Sequence, residues 1–395
     1  MKGFCFDLTK AFDLVNHSIL FRKLEQYGIR GPALQWIISY LKDREQYVEI
    51  DTSGYAKVIS RVEKINIGVP QGSVLGPLLF IIYVNDLLEF LHTGHKVMFV
   101  DDLSILISCN SEEELENSKG QMLSELREWL SANNLVEQEK KRQEIIFRTK
   151  NRMYADSLDG DNNVQSVSLL GIELHQHLKW KEHIHNVSKK LKKALFGIAR
   201  IAKICTRETT LSAYHALFHS VMIYGIVLWG GSKDIQKFLV IQKKAIRYIM
   251  HIPNMQSCRE HFKTLGILTV PSAYILETLK KTRENYLSFG SKSETHDHFT
   301  RHKNNVQTTQ AKLTTSQKGI NFMGPKLFNK LPENVKTLEM NSFVKKMKAL
   351  LLKQTFYSVK EFLDYDLDKL ISIHSYLLSC KASCQFILYE IFHLL

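Results

Sequence analysis

The sequence predicts an α+β protein, with an antiparallel sheet and packed helices up to about residue 180 and an all-helical region after it. Before residue 180, short segments with strand periodicity alternate with amphipathic helical segments, whereas only helical periodicity follows. The charge changes at the same place. Residues 1–180 carry 20 basic and 25 acidic residues, residues 181–300 carry 19 and 8, and residues 301–360 carry 12 and 2. Together these changes indicate a domain boundary near residue 180.

Composition restricts the class of protein. With 395 residues, 44% of them hydrophobic and 24% charged, the chain can form more than one folded domain and is not a disordered tail. No signal peptide and no apolar run of about 18 residues occur, which predicts an intracellular protein of the nucleus or cytoplasm without a membrane span. Six scattered cysteines predict free thiols. The basic second half favours a polyanion partner, and nucleic acid is a better candidate than an anionic membrane. The equally weighted alternative is that these charges only form a solvated surface.

The first 180 residues contain every predicted strand. In chain order we expect strand 3–8, helices 16–27 and 32–42, a hairpin of 45–50 and 57–67, helix 73–91, strands 96–99 and 103–108, a helix to about 132, and strands 144–148 and 164–174. Ser53-Gly54 supplies the turn of the hairpin. Ser111 with Glu114 forms a capping box that opens the helix ending near 132.

The remainder divides by composition. A helix from residue 182 has an apolar face and an opposite face that carries Lys189, Lys190, Lys192 and Lys193. We therefore expect a mixed α+β unit over 1–180, an all-helical region over 181–289, a flexible polar linker over 290–320, and a C-terminal region over 321–395 that is basic and then apolar.

Three carboxylates stand at strand ends. Asp7 ends the first strand, and Asp101-Asp102 joins two later strands. Adjacent aspartates repel each other unless a cation holds them, and two divalent ions could do so while activating a hydroxyl for attack on a phosphate. The alternative is turn chemistry, because Asp is common in turns.

The segment Gly68-Val69-Pro70-Gln71-Gly72 predicts a loop before a helix that starts at Ser73. Its glycines allow close backbone approach to a ligand, and a helix N-terminus favours anions. Such a loop suits a nucleotide or a template strand, although an ordinary Gly-Pro turn has the same composition.

Taken together, these motifs resemble those of the reverse transcriptases of non-LTR (LINE-type) retrotransposons, particularly jockey-like insect elements. The resemblance rests on FDLTKAFD at 6–13, GVPQGSVLGPLLF at 68–80, FVDD at 99–102, LGI at 170–172 and YHALFHS at 214–220. It implies that residues 1–180 form a right-hand polymerase palm and residues 181–289 its helical thumb or connection, and it implies RNA-directed DNA polymerase activity.

The resemblance also implies a role for each residue that matches a family motif. The resemblance implies that Asp7, Asp101 and Asp102 bind two Mg²⁺ ions, with Mn²⁺ as a possible substitute. Phe12 would exclude the ribose 2′-hydroxyl, Gln71 and Gly72 would contact the template–nucleotide pair, and Leu170-Gly171 would form the primer grip. The implied partners are an RNA template, a DNA primer and dNTP, with the Lys189–Lys193 cluster contacting phosphates.

The chain also departs from the family pattern. The fingers and endonuclease regions that precede the first motif in the family are expected to be missing, which makes the chain N-terminally truncated. Val100 replaces the usual alanine, and Glu137 and Arg142 stand where an apolar and a small polar residue are usual, which should strain that edge of the sheet. The alternative function is therefore an inactive remnant that binds RNA or RNA–DNA hybrid.

Overall fold

The computed structural model describes residues 1–51, 57–147, 164–286, 305–308, 310–313 and 316–367. The chain forms two compact units, Met1–Leu178 and Lys179–Leu395. The α+β class and the all-helical region after it are confirmed over this part of the chain. Within the same ranges, no helix is both long and apolar enough to cross a membrane.

The first unit contains ten strands and five α-helices among its described residues. The strands are β1 (Lys2–Phe6), β2 (Arg44–Gln46), β3 (Glu49–Ile50), β4 (Val58–Ile59), β5 (Glu63–Ile65), β6 (His95–Phe99), β7 (Asp102–Ile107), β8 (Gln143–Ile146), β9 (Ser166–Leu169) and β10 (Ile172–His175). The helices are α1 (His17–Gln26), α2 (Gly31–Leu41), α3 (Leu75–Val84), α4 (Leu87–Phe90) and α5 (Glu112–Ala132).

The central sheet is antiparallel in the order β6-β7-β1-β8. Alternate residues of β1 and β7, such as Phe4 and Ile105, are buried, and Leu20 of α1, Phe80 of α3 and Trp129 of α5 belong to the same core. The predicted cap of α5 is present, because the Ser111 hydroxyl accepts the Glu114 amide hydrogen. The helices thus cover the sheet that carries the predicted carboxylates.

The hairpin after α2 pairs β2 with β5 and β3 with β4, as predicted. Its predicted turn, Ser53-Gly54, lies outside the described residues. The predicted single strand 164–174 is instead the hairpin β9–β10. Leu170 and Gly171 form its two-residue turn with φ of +48° and +77°, which is the conformation that joins twisted strands.

The predicted helix 73–91 is wrong in two respects. It begins at Leu75 rather than at Ser73, and it breaks between α3 and α4 at Asn85 and Asp86. The buried Lys23 ammonium explains the break, since it donates to the Tyr83 carbonyl at 2.7 Å and to the Asp86 carboxylate at 2.6 Å. A tertiary contact of this kind leaves no signal in an apolar run.

The second unit is helical throughout its described residues. Its α-helices are α6 (Lys181–Ile204), α7 (Arg207–Tyr214), α8 (Ser220–Ile223), α9 (Ile226–Trp229), α10 (Ile235–Met250), α11 (Arg259–Thr264), α12 (Val270–Glu284), α13 (Ile320–Asn329), α14 (Glu333–Lys336), α15 (Met340–Gln354) and α16 (Val359–Asp364). A π-helical segment, His215–His219, joins α7 to α8. Trp229, Tyr274 and Phe343 are fully buried in its core.

The predicted linker 290–320 and the C-terminal end lie partly outside the described residues. In the described part of the linker, Val306 is fully buried, and the Asn329 side chain binds both its amide and its carbonyl. Lys336 donates to the Asn305 side chain at 2.8 Å. The predicted apolar C-terminal stretch after residue 367 is not described.

Candidate active site

The three predicted aspartates lie at one end of neighbouring strands. Phe6 pairs with Leu103 across β1 and β7, so Asp7 leaves its strand beside Asp102, the first residue of β7. Asp101 precedes Asp102 in the turn that joins β6 to β7. Antiparallel register therefore brings together carboxylates that are far apart in the sequence.

The carboxylates influence one another electrostatically. Burial raises the pKa of Asp102 above its usual value, and the charges of Asp101 and then Asp7 raise it further. The Lys141 ammonium opposes this rise. The cluster therefore carries an excess of negative charge that a cation would relieve.

Lys141 is the cation that lies there in this structure. Its Nζ atom is 2.6 Å from Asp7 Oδ2, and its side chain is 60% exposed. No three Asp, Glu, His or Cys side chains in the described part of the chain are arranged around a common metal position. Sequence reasoning missed this ion pair because only the fold places residue 141 beside residue 7.

The backbone after α5 runs beside the first motif and positions Lys141. Leu8 forms an isolated antiparallel bridge with Glu137, and the Gln138 amide donates to the Asp7 carbonyl at 2.8 Å. A short 3₁₀-helix, Glu139–Lys141, follows and carries Lys141 to the carboxylates. The segment 136–141 is therefore part of the site.

The strain expected from Glu137 and Arg142 is not found. Arg142 Nε and Nη2 donate to the two carboxylate oxygens of Glu137, each at 2.7 Å, and the two side chains are only 10% and 7% exposed. The guanidinium also lies over the Phe6 ring, 5.7 Å from its centroid. Each unusual charge thus compensates the other, and the expectation of strain from them is wrong.

Val100 is the strained residue beside the carboxylates. As the first residue of the two-residue turn between β6 and β7, it has a φ of +58°. A β-branched side chain is rarely found there because Cβ crowds the backbone. The change from the usual alanine is therefore less conservative than the sequence suggests.

The Gly68–Gly72 loop is fixed against the segment that follows Asp7. The Gly68 amide donates to the Val15 carbonyl at 2.7 Å, and the Val69 amide donates to the Phe12 carbonyl at 2.8 Å. Gly68 has a φ of +87°, and a Cβ atom there would lie 2.8 Å from the Asp13 carbonyl oxygen. Only glycine fits this approach, which explains the residue type.

The side chains predicted to contact the nucleotide lie where the Gly68–Gly72 loop meets the segment that follows Asp7. Phe12 stacks on Phe80 with 4.6 Å between the ring centroids. Gln71 donates to Asp13 Oδ1 at 2.9 Å, and both Gln71 and Gly72 are exposed. A groove of about 590 Å³ lies between this loop and the β2–β5 hairpin.

The remaining predicted residues lie elsewhere. Leu170 and Gly171 occupy the tip of the β9–β10 hairpin. Lys189, Lys190, Lys192 and Lys193 are exposed on α6 of the second unit. Among the described residues, none of these four lysines forms an ion pair.

Comparison with known proteins places the first unit among reverse transcriptase sequences. Residues 3–174 match the family described as reverse transcriptase (RNA-dependent DNA polymerase). The predicted relationship to reverse transcriptases of non-LTR retrotransposons is confirmed.

The relatives are proteins of insect mobile elements. The chain is 27% identical over 288 residues to the RNA-directed DNA polymerase from mobile element jockey of Drosophila melanogaster, covering 67% of this chain and 30% of that protein. It is 25% identical over 257 residues to the probable RNA-directed DNA polymerase from transposon X-element of the same species, covering 62% and 27%. The chain thus spans about 30% of these relatives.

Among solved structures, an apo telomerase from Candida tropicalis matches with a TM-score of 0.33 and 12% identity, covering 74% of this chain and 51% of that chain. A telomerase from Candida albicans in complex with a telomeric RNA fragment matches with a TM-score of 0.29 and 11% identity, covering 74% and 48%.

Proposed function

We propose that the Met1–Leu178 unit is the catalytic palm of an RNA-directed DNA polymerase that extends a DNA primer on an RNA template. The observation that carries the proposal is the convergence of Asp7, Asp101 and Asp102 at adjacent strand ends. Burial and then the charges of Asp101 and Asp7 raise the pKa of Asp102, and a bound cation would stabilise its ionised form.

The chemistry of this donor set suits a divalent metal, although no three of the described side chains surround a common position in this structure. The carboxylates supply hard oxygen donors, and the Lys141 ammonium already neutralises one of them. We propose that Asp7, Asp101 and Asp102 hold two Mg²⁺ ions, or Mn²⁺, which when bound activate the primer 3′-hydroxyl and stabilise the leaving pyrophosphate. Lys141 then becomes available to the charged substrate.

Phe12 is proposed to select deoxyribonucleotides. Its ring is supported from one side by Phe80, so it cannot yield easily to an extra hydroxyl on the incoming sugar. Asp13 holds the Gln71 amide in place beside it, and Gly72 leaves the loop open. We propose that Gln71 and Gly72 contact the template–nucleotide pair.

Nucleic-acid contacts are proposed for each unit by itself. The Leu170–Gly171 turn would hold the primer strand, and the Lys189–Lys193 cluster would contact phosphates as point charges. Because these lysines are exposed and form no ion pair with other described residues, their charge is available to a polyanion.

The test is primer extension by the full chain on poly-rA/oligo-dT with Mg²⁺. We expect extension that Asp101→Asn abolishes, because the substitution removes a carboxylate charge at constant size. Asp43→Asn is the matched control: Asp43 is exposed after α2, and its φ of +56° suits asparagine. Failure of the folded wild-type chain to extend the primer, with salt-dependent RNA binding retained, would support the inactive remnant instead.

A further inference from the structure

Three basic side chains of the second unit converge on one tyrosine. Lys243 and Arg247 lie on α10, Arg259 begins α11, and Tyr357 lies between α15 and α16. Lys243 Nζ is 3.9 Å from the Tyr357 ring centroid, and Arg259 Cζ is 4.3 Å from it. Three segments of the chain therefore come together at this place.

Too few carboxylates lie there to neutralise it. Arg259 Nη2 is 3.5 Å from Glu361 Oε1, while the other oxygen of Glu361 accepts the Tyr357 amide hydrogen at 2.7 Å. In the described part of the chain, Lys243 and Arg247 form no ion pair. Burial lowers the pKa of Lys243, and the neighbouring Arg247 and Arg259 charges also lower it, against opposing contributions from Cys258 and Glu361.

The cluster also contains hydrogen-bond donors without acceptors. Arg247 Nε and the Tyr357 hydroxyl are both buried and have no hydrogen-bond acceptor, the neighbouring Arg259 guanidinium being itself a donor. Buried donors are normally satisfied, and their desolvation is unfavourable when they are not. An anion with several oxygens would accept from both and balance the local charge.

We propose that Lys243, Arg247 and Arg259, with the Tyr357 hydroxyl, form a binding site for a phosphate group. Guanidinium groups match the geometry of phosphate oxygens, and the lysine adds a point charge. The phosphate belongs either to the backbone of a nucleic-acid strand or to a free phosphate ion. This site goes beyond the proposed function, because it uses neither the palm carboxylates nor the α6 lysines.

The experiment compares three double variants of the full chain. Lys243→Gln/Arg259→Gln removes two charges from the cluster. Lys244→Gln/Lys360→Gln removes two exposed charges outside the cluster, one on α10 and one on α16. Lys243→Arg/Arg259→Lys retains the charge and tests for recovery, and a thermal melt of each variant verifies folding.

Two ligands are titrated with each variant. Binding of a single-stranded RNA 12-mer is followed by fluorescence anisotropy at several salt concentrations. The melting temperature is measured in inorganic phosphate and in chloride of equal ionic strength.

For a phosphodiester ligand, we expect the cluster variant to bind RNA about tenfold more weakly and to lose ~1.4 from the salt slope, with less than a twofold effect for the control. For a free phosphate ion, phosphate raises the melting temperature of the wild type and not of the cluster variant. Neither measurement uses primer extension, which separates this site from the polymerase proposal. Equal RNA affinity in both glutamine variants, without a phosphate-specific shift in wild type, would overturn the inference.

Discussion

The Glu137–Arg142 pair offers the sharpest test of how the candidate site is supported. It is bidentate, both hydrogen bonds measure 2.7 Å, and both side chains are at least nine-tenths buried. Glu137 also forms an antiparallel β-bridge with Leu8, and the backbone amide of Gln138 donates to the Asp7 carbonyl. Loss of the pair should therefore loosen the backbone that positions Asp7 and Lys141.

The expected magnitude follows from burial. Glu137→Ala leaves a guanidinium that is 10% exposed without its partner, and Arg142→Ala leaves a carboxylate that is 7% exposed. Removal of one partner of a buried pair costs about 3–5 kcal/mol, whereas replacing both by apolar residues of similar volume is often neutral. We expect each single variant to fall in that range and Glu137→Leu/Arg142→Met to lie close to wild type.

Hydrogen exchange of the full chain measures the effect locally. Peptides covering 136–147 and β1 should exchange faster in the single variants and at the wild-type rate in the double variant. The control is the exposed pair Arg61–Glu63, whose side chains are 89% and 58% exposed, and which should contribute at most about 1 kcal/mol. Single and double variants whose effects simply add would refute the argument, because they would show that the two charges are independent.

Three further outcomes can be checked. Val100→Gly should stabilise the β6–β7 turn by ~0.5–1 kcal/mol in thermal unfolding, because glycine accepts the φ of +58°; a loss of stability would refute the strain argument. Phe12→Ala should raise the kcat/KM for ribonucleotides relative to deoxyribonucleotides in primer extension, and an unchanged ratio would exclude Phe12 as the gate. Burial lowers the pKa of His219, and the charges of His215 and Lys348 lower it further, while Glu277 opposes them. As the pH falls, the unfolded chain therefore takes up a proton on this histidine before the folded chain does. The free energy of unfolding should therefore decrease as the pH falls below ~6.5. Measured by urea unfolding, this pH dependence should be shallower in His219→Asn and unchanged in the exposed control His185→Asn.

The sequence predicts features that depend on local pattern or on strand order. The strand before Asp7 and the strands around Asp101-Asp102 follow from apolar runs, and their neighbouring positions follow from the expectation of one sheet. The helix after Ser111 follows from its capping box. Where the chain obeys such rules, the sequence is sufficient to place the candidate site.

The remaining features depend on contacts between distant residues. Lys23 reaches the Tyr83 carbonyl and Asp86, and its ammonium lies 4.8 Å from the centroid of the Trp129 ring, so it interrupts a helix that the apolar pattern predicts as continuous. Lys141 reaches Asp7 only because the chain returns along the edge of the sheet. Neither contact can be predicted from the hydrophobic periodicity of the sequence.

The difference between local pattern and distant contacts also affects the choice between the two functions proposed from the sequence, the polymerase and the inactive remnant. Read as single substitutions, Glu137 and Arg142 each place a charge where the fold buries its side chain, which suggested damage to the sheet edge. In the fold they bind each other with good geometry, and the Phe6 ring covers the guanidinium. A buried charge is most costly when it is unpaired, and each of these two has its partner, so they give no reason to expect a distorted palm. Val100 remains a strained departure at the carboxylates, but its cost is about 1–3 kcal/mol, and strain of this size also occurs at intact active sites. These departures therefore give no reason to favour the inactive remnant over the proposed polymerase.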